Sequence, residues 1–189
     1  GPIRGPIPDP EPSSFHTEVE YSALFEESEL CGTCHDVIET SGLPLERPYA
    51  EWLTSPAAED GQNCQSCHMP ASTGYAATNT TTERTVHSHR FVGVDVPLDG
   101  FVTDERAEEI QAQVTALLES AATIELSLPE AVLPGEQLDV VITVHNDITA
   151  HNFPTGSTFL RQAWLEVTAT DAEGQTLYAT GDLLSLIHI

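Results

Sequence analysis

Two five-residue segments, Cys31–His35 and Cys64–His68, hold the side chains best suited to chemistry in this chain. Each reads Cys-x-x-Cys-His, the attachment pattern of c-type haem. Two thiols three positions apart can add to the two vinyl groups of one porphyrin, and the histidine that follows then binds the iron as an axial ligand. The pattern therefore predicts two covalently attached haems c. The thioether residues would be Cys31, Cys34, Cys64 and Cys67, and the proximal iron ligands His35 and His68.

Two other uses of the four cysteines compete with haem attachment. A zinc site made of two Cys-x-x-Cys pairs usually has roughly 15–20 residues between the pairs, whereas 29 residues lie between Cys34 and Cys64. Zinc needs no histidine after each pair, and a pair of disulfides would leave both histidines unexplained. Haem attachment accounts for every residue of both motifs.

Short helices and loops are expected to position the two motifs. Residues 21–30 are predicted to form a helix that leads into Cys31. A second helix is predicted to begin at Pro48, because proline suits the first helical turn, and to end at Ser55. Residues 70–86 are rich in threonine, alanine and asparagine and are expected to be loop.

A longer helix and then a strand pattern follow the motifs. The helix is predicted over about 104–122, with Thr103 or Asp104 as its cap and one apolar stripe. Beyond it, apolar residues alternate with a period of two, as in half-buried strands. These strands look like the opening half of an immunoglobulin-like sandwich cut short near residue 183. They are predicted over 124–128, 138–144, 163–169 and 175–179.

The predicted fold class is a mostly helical or irregular dihaem cytochrome c module followed by a truncated all-β immunoglobulin-like sandwich. Few regular elements are expected in the first part, because two porphyrins would supply much of its apolar mass. The predicted parts are a proline-rich tether (1–14), the dihaem module (15–102), a connecting helix (103–122), a partial β-sandwich (123–183) and a terminal segment (184–189).

The terminal segment, Leu184 to Ile189, is predicted to be a sequencing-adapter artefact. Its residues are those that the codons CTG TCT CTT ATA CAC ATC encode, which form the mosaic end of a common transposon adapter. On this interpretation His188 has no biological role, and the natural protein continues beyond Leu183.

The chain is strongly acidic. Its 30 acidic residues outnumber six basic residues, all of them arginine, and the net charge is −24. This charge argues against nucleic acid and anionic membrane as partners, because both are polyanions. A basic redox partner would be attracted at low salt, although solubility and adaptation to high salt also account for the charge.

Export is expected from the chemistry of haem attachment. Covalent haem attachment takes place outside the cytoplasm in bacteria and archaea, so a periplasmic or extracellular location is predicted. The only methionine is Met69, so the translational start and any signal peptide lie outside this sequence. No stretch approaches the ~20 apolar residues of a membrane span.

The segment from Cys31 to Pro70, with Tyr49-x-x-Trp52-x-x-Ser55-Pro56 between the two haem motifs, resembles the multihaem cytochromes c of the tetrahaem-cytochrome and hydroxylamine-oxidoreductase superfamily. His151-Asn152-Phe153-Pro154-Thr155-Gly156, followed by Arg161-Gln162-Ala163-Trp164-Leu165, resembles a block of larger multihaem cytochromes with an appended β-domain. The usual block is Gly-His-x-x-Pro-Thr-Gly, and Ala150 replaces its glycine here. The resemblance covers residues 16–183 and implies either an electron carrier or an enzyme.

Each iron also has a distal position, and six histidines remain after the two proximal ones. In the family that this chain resembles, a histidine two residues before a phenylalanine, after Cys-x-x-Cys-His-Met-Pro, is a recurring ligand. The resemblance therefore implies His89 as a distal ligand, with its neighbour His87 as the alternative.

Two other histidines are candidate distal ligands. His16 precedes the first motif by 15 residues and can fold back over a haem. His151 lies on an irregular loop between strands, where functional residues concentrate. By contrast, His145 is predicted to lie on the surface, and Met69 to fill a gap in the packing.

Electron transfer through closely spaced bis-histidine haems is the predicted function, with a redox protein or other haem modules, including those of neighbouring subunits, as partners. One alternative is a fragment of a redox enzyme that acts on nitrogen or sulfur oxyanions at an open iron, for which Arg90 and Tyr75 are the available side chains. Another alternative is a haem-wire or assembly subunit whose β-domain mediates subunit contacts.

Overall fold

Hydrogen bonds between neighbouring parts of the chain build most of this fold. In the computed structural model, which describes residues 1–98 and 100–181, strands pair only two by two, in five separate sheets. The strands are β1 (Ile3–Gly5), β2 (Val19–Tyr21), β3 (Val37–Ile38), β4 (Pro44–Glu46), β5 (Ala71–Tyr75), β6 (Glu83–His87), β7 (Ala122–Ser127), β8 (Val141–Asn146), β9 (Val167–Thr170) and β10 (Thr176–Thr180). The helices are α1 (Ser28–Gly32), α2 (Pro48–Trp52), α3 (Pro56–Glu59), α4 (Cys64–His68) and α5 (Asp104–Glu119), with 3-10 turns at Ala23–Glu26 and Thr158–Leu160.

The chain forms two compact units. The first spans Gly1–Gly156 and contains both haem motifs, and the second begins at Ser157. In the second unit, β9 and β10 form an antiparallel hairpin, closed by a turn in which Gly174 N donates to Asp171 O. Gly174 has φ of +82°, a conformation that favours glycine because it has no Cβ.

Two hairpins in the first unit return the chain to the haem motifs. The β5–β6 hairpin pairs Ala71 with His87, so the segment after β6 starts beside the end of α4. The β7–β8 hairpin pairs Ala122 with Asn146, which brings the loop after β8 back toward the end of α5. Both hairpins thereby carry distant histidines toward the motifs.

Individual sequence features explain where helices begin. Helix α2 starts at Pro48, as predicted. Helix α5 starts after Thr103, whose side chain accepts a hydrogen bond from Arg106 N, so the predicted cap is confirmed. From the predicted apolar stripe, Val114 and Ala121 are almost fully buried, at 3% and 1% exposure.

The predicted fold class is wrong. Helix and strand each make up 23% of the structure, in short pairs, and the described residues form no large helical cytochrome module. The helices beside the haem motifs are single turns, and hairpins occupy much of the chain around them. Residues 70–86, expected to be loop, form most of one hairpin, in which the β-branched Thr73 pairs with Thr85.

The expectation of an immunoglobulin-like sandwich fails for a related reason. A sandwich needs two sheets that cover each other's apolar faces. The β7–β8 sheet has only two strands, and Leu126 and Val144 are 59% and 53% exposed. The apolar alternation over 138–144 produces a strand only from Val141 onward.

Candidate haem-binding site

The first motif forms a helical turn at the end of α1. His35 N donates to Cys31 O over 2.9 Å, and residues four apart in a helical turn lie on one face. The Tyr49 ring packs against this turn at Gly32, where an added Cβ would lie 2.6 Å from Tyr49 Cγ. Tyr49 N also donates to His35 O over 3.1 Å. Glycine at position 32 thus allows α2 to pack directly on the motif.

The second motif coincides with helix α4. Asn63 caps this helix, since its side-chain oxygen accepts a hydrogen bond from Ser66 N over 2.9 Å. The Cys64 side chain is half-buried, whereas Cys67 is exposed. The cap fixes the start of the helical turn and thereby the spacing of its two thiols and its histidine.

Hydrogen bonds dock the second motif onto the segment that leads into the first. Cys64 N donates to the Oγ atom of the fully buried Ser28 over 3.1 Å. Gln65 Nε2 donates to the carbonyls of Phe25 and Glu27, over 3.2 and 2.8 Å. Burial raises the pKa of the Cys31 thiol, and the neighbouring Cys64 thiol adds to this rise. The two attachment turns are therefore in direct contact.

The proximal histidines have their Nδ1 atoms engaged. His68 Nδ1 lies 2.9 Å from Val92 O; because a carbonyl can only accept, Nδ1 is the donor, and in the neutral ring Nε2 keeps its lone pair. His35 Nδ1 lies 3.4 Å from Glu46 Oε1. Metal-binding histidines commonly have such a partner on the nitrogen that does not bind the metal. The arrangement suits iron binding through Nε2.

His151 is the candidate distal ligand that lies beside a proximal histidine. The ring centres of His68 and His151 are 6.3 Å apart, and the ring planes differ by 21°. His151 is half-buried, and its Nδ1 donates to Asn152 O over 3.0 Å. Its Nε2 therefore also keeps a lone pair.

A carboxylate of α2 holds the loop that carries His151. Glu51 Oε2 accepts hydrogen bonds from Asn152 N over 3.1 Å and from Thr155 Oγ1 over 2.6 Å. On the other side, Asn146 Nδ2 donates to His151 O over 3.0 Å. The loop is thus tied to both α2 and the end of β8.

The other candidate distal ligands lie on exposed segments. His89 is exposed, donates from Nδ1 to His87 O over 3.0 Å and meets the edge of Phe91 at 5.9 Å. His87 donates from Nδ1 to Met69 O over 2.8 Å, and His16 is exposed near β2. Among the described residues, none of these three makes a ring contact with a proximal histidine.

Of the remaining histidines, the structure describes only His145, which stands apart from the motifs. His145 is exposed, and its Nε2 lies 3.3 Å from Glu125 Oε2, which agrees with its predicted place on the surface. His188 and the predicted adapter segment 184–189 lie outside the described residues. Arg90, the neighbour of His89, pairs with Glu109 of α5.

The donor set contains the side chains that two haems c would need. All four cysteines are free, and within residues 1–98 and 100–181 no group of three or more His, Cys, Asp and Glu side chains is arranged to hold a metal ion. The Cys31 and Cys64 thiols are neighbours, but among the described residues they belong to no group of three or more such donors. Each motif instead presents two free thiols and one histidine on a single helical turn.

The sequence interpretation missed three residues that position this site. Val92 and Glu46 contact the proximal histidines, and Glu51 anchors the His151 loop. Glu51 stands inside the Tyr49-x-x-Trp52 segment, so its position was a usable signal. The Val92 contact is made by a backbone carbonyl, which side-chain identity does not reveal.

The described helices include none that is both long and apolar enough to cross a membrane. No family model, curated protein or solved structure matches the chain.

Proposed function

We propose that this chain is a dihaem c-type cytochrome that carries electrons through closely spaced bis-histidine haems outside the cytoplasm, in the periplasm or on the cell exterior. The observation that carries the proposal is the direct docking of the two Cys-x-x-Cys-His turns through Ser28, Cys64 and Gln65. When bound, the haems would supply a one-electron iron couple.

The residues of this chain then have three tasks. The cysteine pairs would hold the macrocycles covalently, and His35 and His68 would bind the irons through Nε2. The contacts of Val92 and Glu46 with the two Nδ1 atoms orient the imidazoles. The buried hydrogen bonds between the motifs fix the separation of the attachment sites, and a fixed short separation is what electron transfer within one module requires.

The net charge supports a cationic redox partner. At −24, the chain would attract a basic protein and speed the encounter at low ionic strength. Other haem modules, including those of neighbouring subunits, are the second class of partner that the proposal includes.

Haem counting tests the proposal. The chain, produced with a c-type haem maturation system, is expected to carry two haems in a denaturing pyridine haemochrome assay. The double variant Cys64→Ser with Cys67→Ser should carry one, and the control Ser66→Ala, altered between the same two cysteines, should still carry two. Absence of covalent haem, or one zinc ion per chain bound by the four cysteines, would refute the proposal.

A further inference from the structure

The ring pair His68–His151 has a separation that matches two ligands of one metal. An imidazole bound through Nε2 at about 2.0–2.1 Å has its ring centre roughly 3.2 Å from the metal, because atoms of a five-membered ring with bonds of about 1.35 Å lie about 1.15 Å from its centre. Two imidazoles on opposite sides of one iron therefore have ring centres about 6.3–6.5 Å apart. The observed separation is 6.3 Å, and the two ring planes, 21° apart, are arranged as a stacked pair.

The protonation pattern of both rings is also the one that iron needs. His68 donates from Nδ1 to Val92 O, and His151 donates from Nδ1 to Asn152 O. In the neutral form of each ring, Nε2 is therefore the nitrogen that can bind a metal. Backbone carbonyls as partners of Nδ1 are typical of metal-binding histidines.

The loop that carries His151 is held in place by groups outside the ring pair. Glu51 accepts hydrogen bonds from Asn152 and Thr155, Ala57 N donates to Thr149 O over 3.3 Å, and Asn146 reaches the His151 carbonyl. A ligand held in position before the metal binds loses less conformational freedom on binding, so the site is better organised for it.

We infer that His151 is the distal axial ligand of the iron whose proximal ligand is His68. The inference rests on the proposed function and deepens it, because it assigns one of several candidate histidines to one of the two haems. It also makes the loop after β8 part of the second haem site, although that loop and α4 are far apart in the sequence. Glu51 is then a positioning residue, which acts on the iron only through the loop.

Single-haem variants separate this inference from the proposed function. In the protein with Cys31→Ser and Cys34→Ser, only the second motif can attach haem, and its low-spin signal is measured by visible and electron paramagnetic resonance spectroscopy. His151→Ala in this background should convert nearly all of that signal to a high-spin or water-ligated form, and added imidazole should restore it. In the complementary Cys64→Ser and Cys67→Ser background, His151→Ala should leave the spectrum unchanged.

The matched control is His145→Ala, which removes an exposed histidine from the adjoining strand and should change neither spectrum. A low-spin haem that survives His151→Ala in the background with only the second motif would overturn the inference, and the ring pair would then be a simple offset stack of two imidazoles. If the unsubstituted chain carries no covalent haem, the proposed function is refuted instead.

A second variant covers the case in which His151→Ala fails to accumulate. His151→Met in the two-haem protein keeps a side chain able to bind iron. Because methionine ligation raises the potential, this variant should raise the reduction potential of one haem and leave the potential of the other haem unchanged. Two unchanged potentials would contradict the assignment.

Discussion

At the scale of single residues, packing around the first Cys-x-x-Cys-His turn depends on the absence of a side chain at Gly32. Gly32 lies under the ring of Tyr49, and a Cβ at this position would come within 2.6–2.8 Å of three ring atoms. The Tyr49 ring also stacks on Trp52, with ring centres 5.8 Å apart. The ring therefore has little room to move away from a larger residue.

Gly32→Ala is expected to destabilise the protein by about 1–3 kcal/mol, the usual cost of overpacking, as measured by thermal or denaturant unfolding. Gly5→Ala is the control, since no atom lies within 4 Å of a Cβ added there. In a protein that already carries Tyr49→Ala, Gly32→Ala should lower the free energy of unfolding by less than it does in the parent protein. If the cost of Gly32→Ala is the same with and without Tyr49, the steric explanation is wrong.

On the proposed function, the first iron would also take a distal ligand, and His89, which the resemblance implies, is the prediction for it. Its Nδ1 is bonded to His87 O, so its Nε2 is free to bind. In the protein with Cys64→Ser and Cys67→Ser, His89→Ala should produce a high-spin haem, whereas His87→Ala should leave the spectrum nearly unchanged. The reverse result would make His87 the ligand, and two unchanged spectra would point to His16.

At the scale of elements, the contact between α4 and residues 25–28 determines how closely the two motifs approach. Gln65 is 6% exposed, and its amide nitrogen serves two backbone carbonyls at once. Loss of this side chain would remove a hydrogen bond from each carbonyl, although Glu27 O would still accept one from Leu30 N. Buried carbonyls without partners are costly because they have given up hydrogen bonds to water.

Gln65→Ala is therefore expected to lower the free energy of unfolding by about 1–3 kcal/mol, the scale for one buried polar group left unsatisfied. Gln62→Ala, which truncates an exposed glutamine three positions earlier, should stay within about 0.5 kcal/mol of the parent protein. Equal effects of the two substitutions in denaturant titrations would show that Gln65 does not hold the motifs together.

The link between α5 and the segment after β6 depends on pH. Arg90 and Arg106 both pair with Glu109, and their hydrogen bonds hold the pKa of this carboxyl below its ordinary value of 4.5. Because the pKa is lower in the folded state, the pairing adds stability above about pH 4.5 and loses it as the pH falls through the lowered pKa.

Melting temperatures of the parent and of Glu109→Gln should therefore differ at pH 7 and converge as the pH falls below 4. The difference should be small, since exposed ion pairs contribute little. Glu108→Gln, at an adjacent carboxylate that pairs with no arginine among the described residues, should follow the parent at every pH. A difference for Glu109→Gln that stays constant with pH would contradict this account.

At the scale of the whole molecule, the net charge of −24 governs encounters with other redox molecules. A cationic inorganic oxidant is attracted by the chain and an anionic one of similar potential is repelled, and salt screens both effects over a Debye length of about 10 Å at 0.1 M. This field acts before any specific contact forms.

Raising the ionic strength from 10 to 300 mM should therefore slow oxidation of the reduced protein by the cationic complex and speed its oxidation by the anionic complex. Stopped-flow absorbance of the haem bands measures both rates. Rates that do not respond to salt would show that the acidic residues lie away from the surface through which electrons leave.

Much of the local structure follows from residue type and spacing alone. Short-range geometry is enough to predict features that depend on a few consecutive residues. Examples are the donor atoms of the two motifs, the start of α2 at Pro48 and the cap of α5 at Thr103. The hairpin over 71–87 was missed because the whole threonine-rich segment was interpreted as loop, whereas only the residues between β5 and β6 form the connection. The sandwich was predicted wrongly because alternation reveals an apolar face but not whether another sheet covers it.

The assembly of the site, by contrast, depends on contacts between distant parts of the chain. His151 reaches His68 because the β7–β8 hairpin returns the chain and Glu51 holds the loop that follows. Ser28 and Gln65 bring the two haem turns together through hydrogen bonds to backbone atoms. Such contacts depend on where the backbone lies, and every residue has the same backbone groups, so the tertiary structure alone decides which histidine meets which motif.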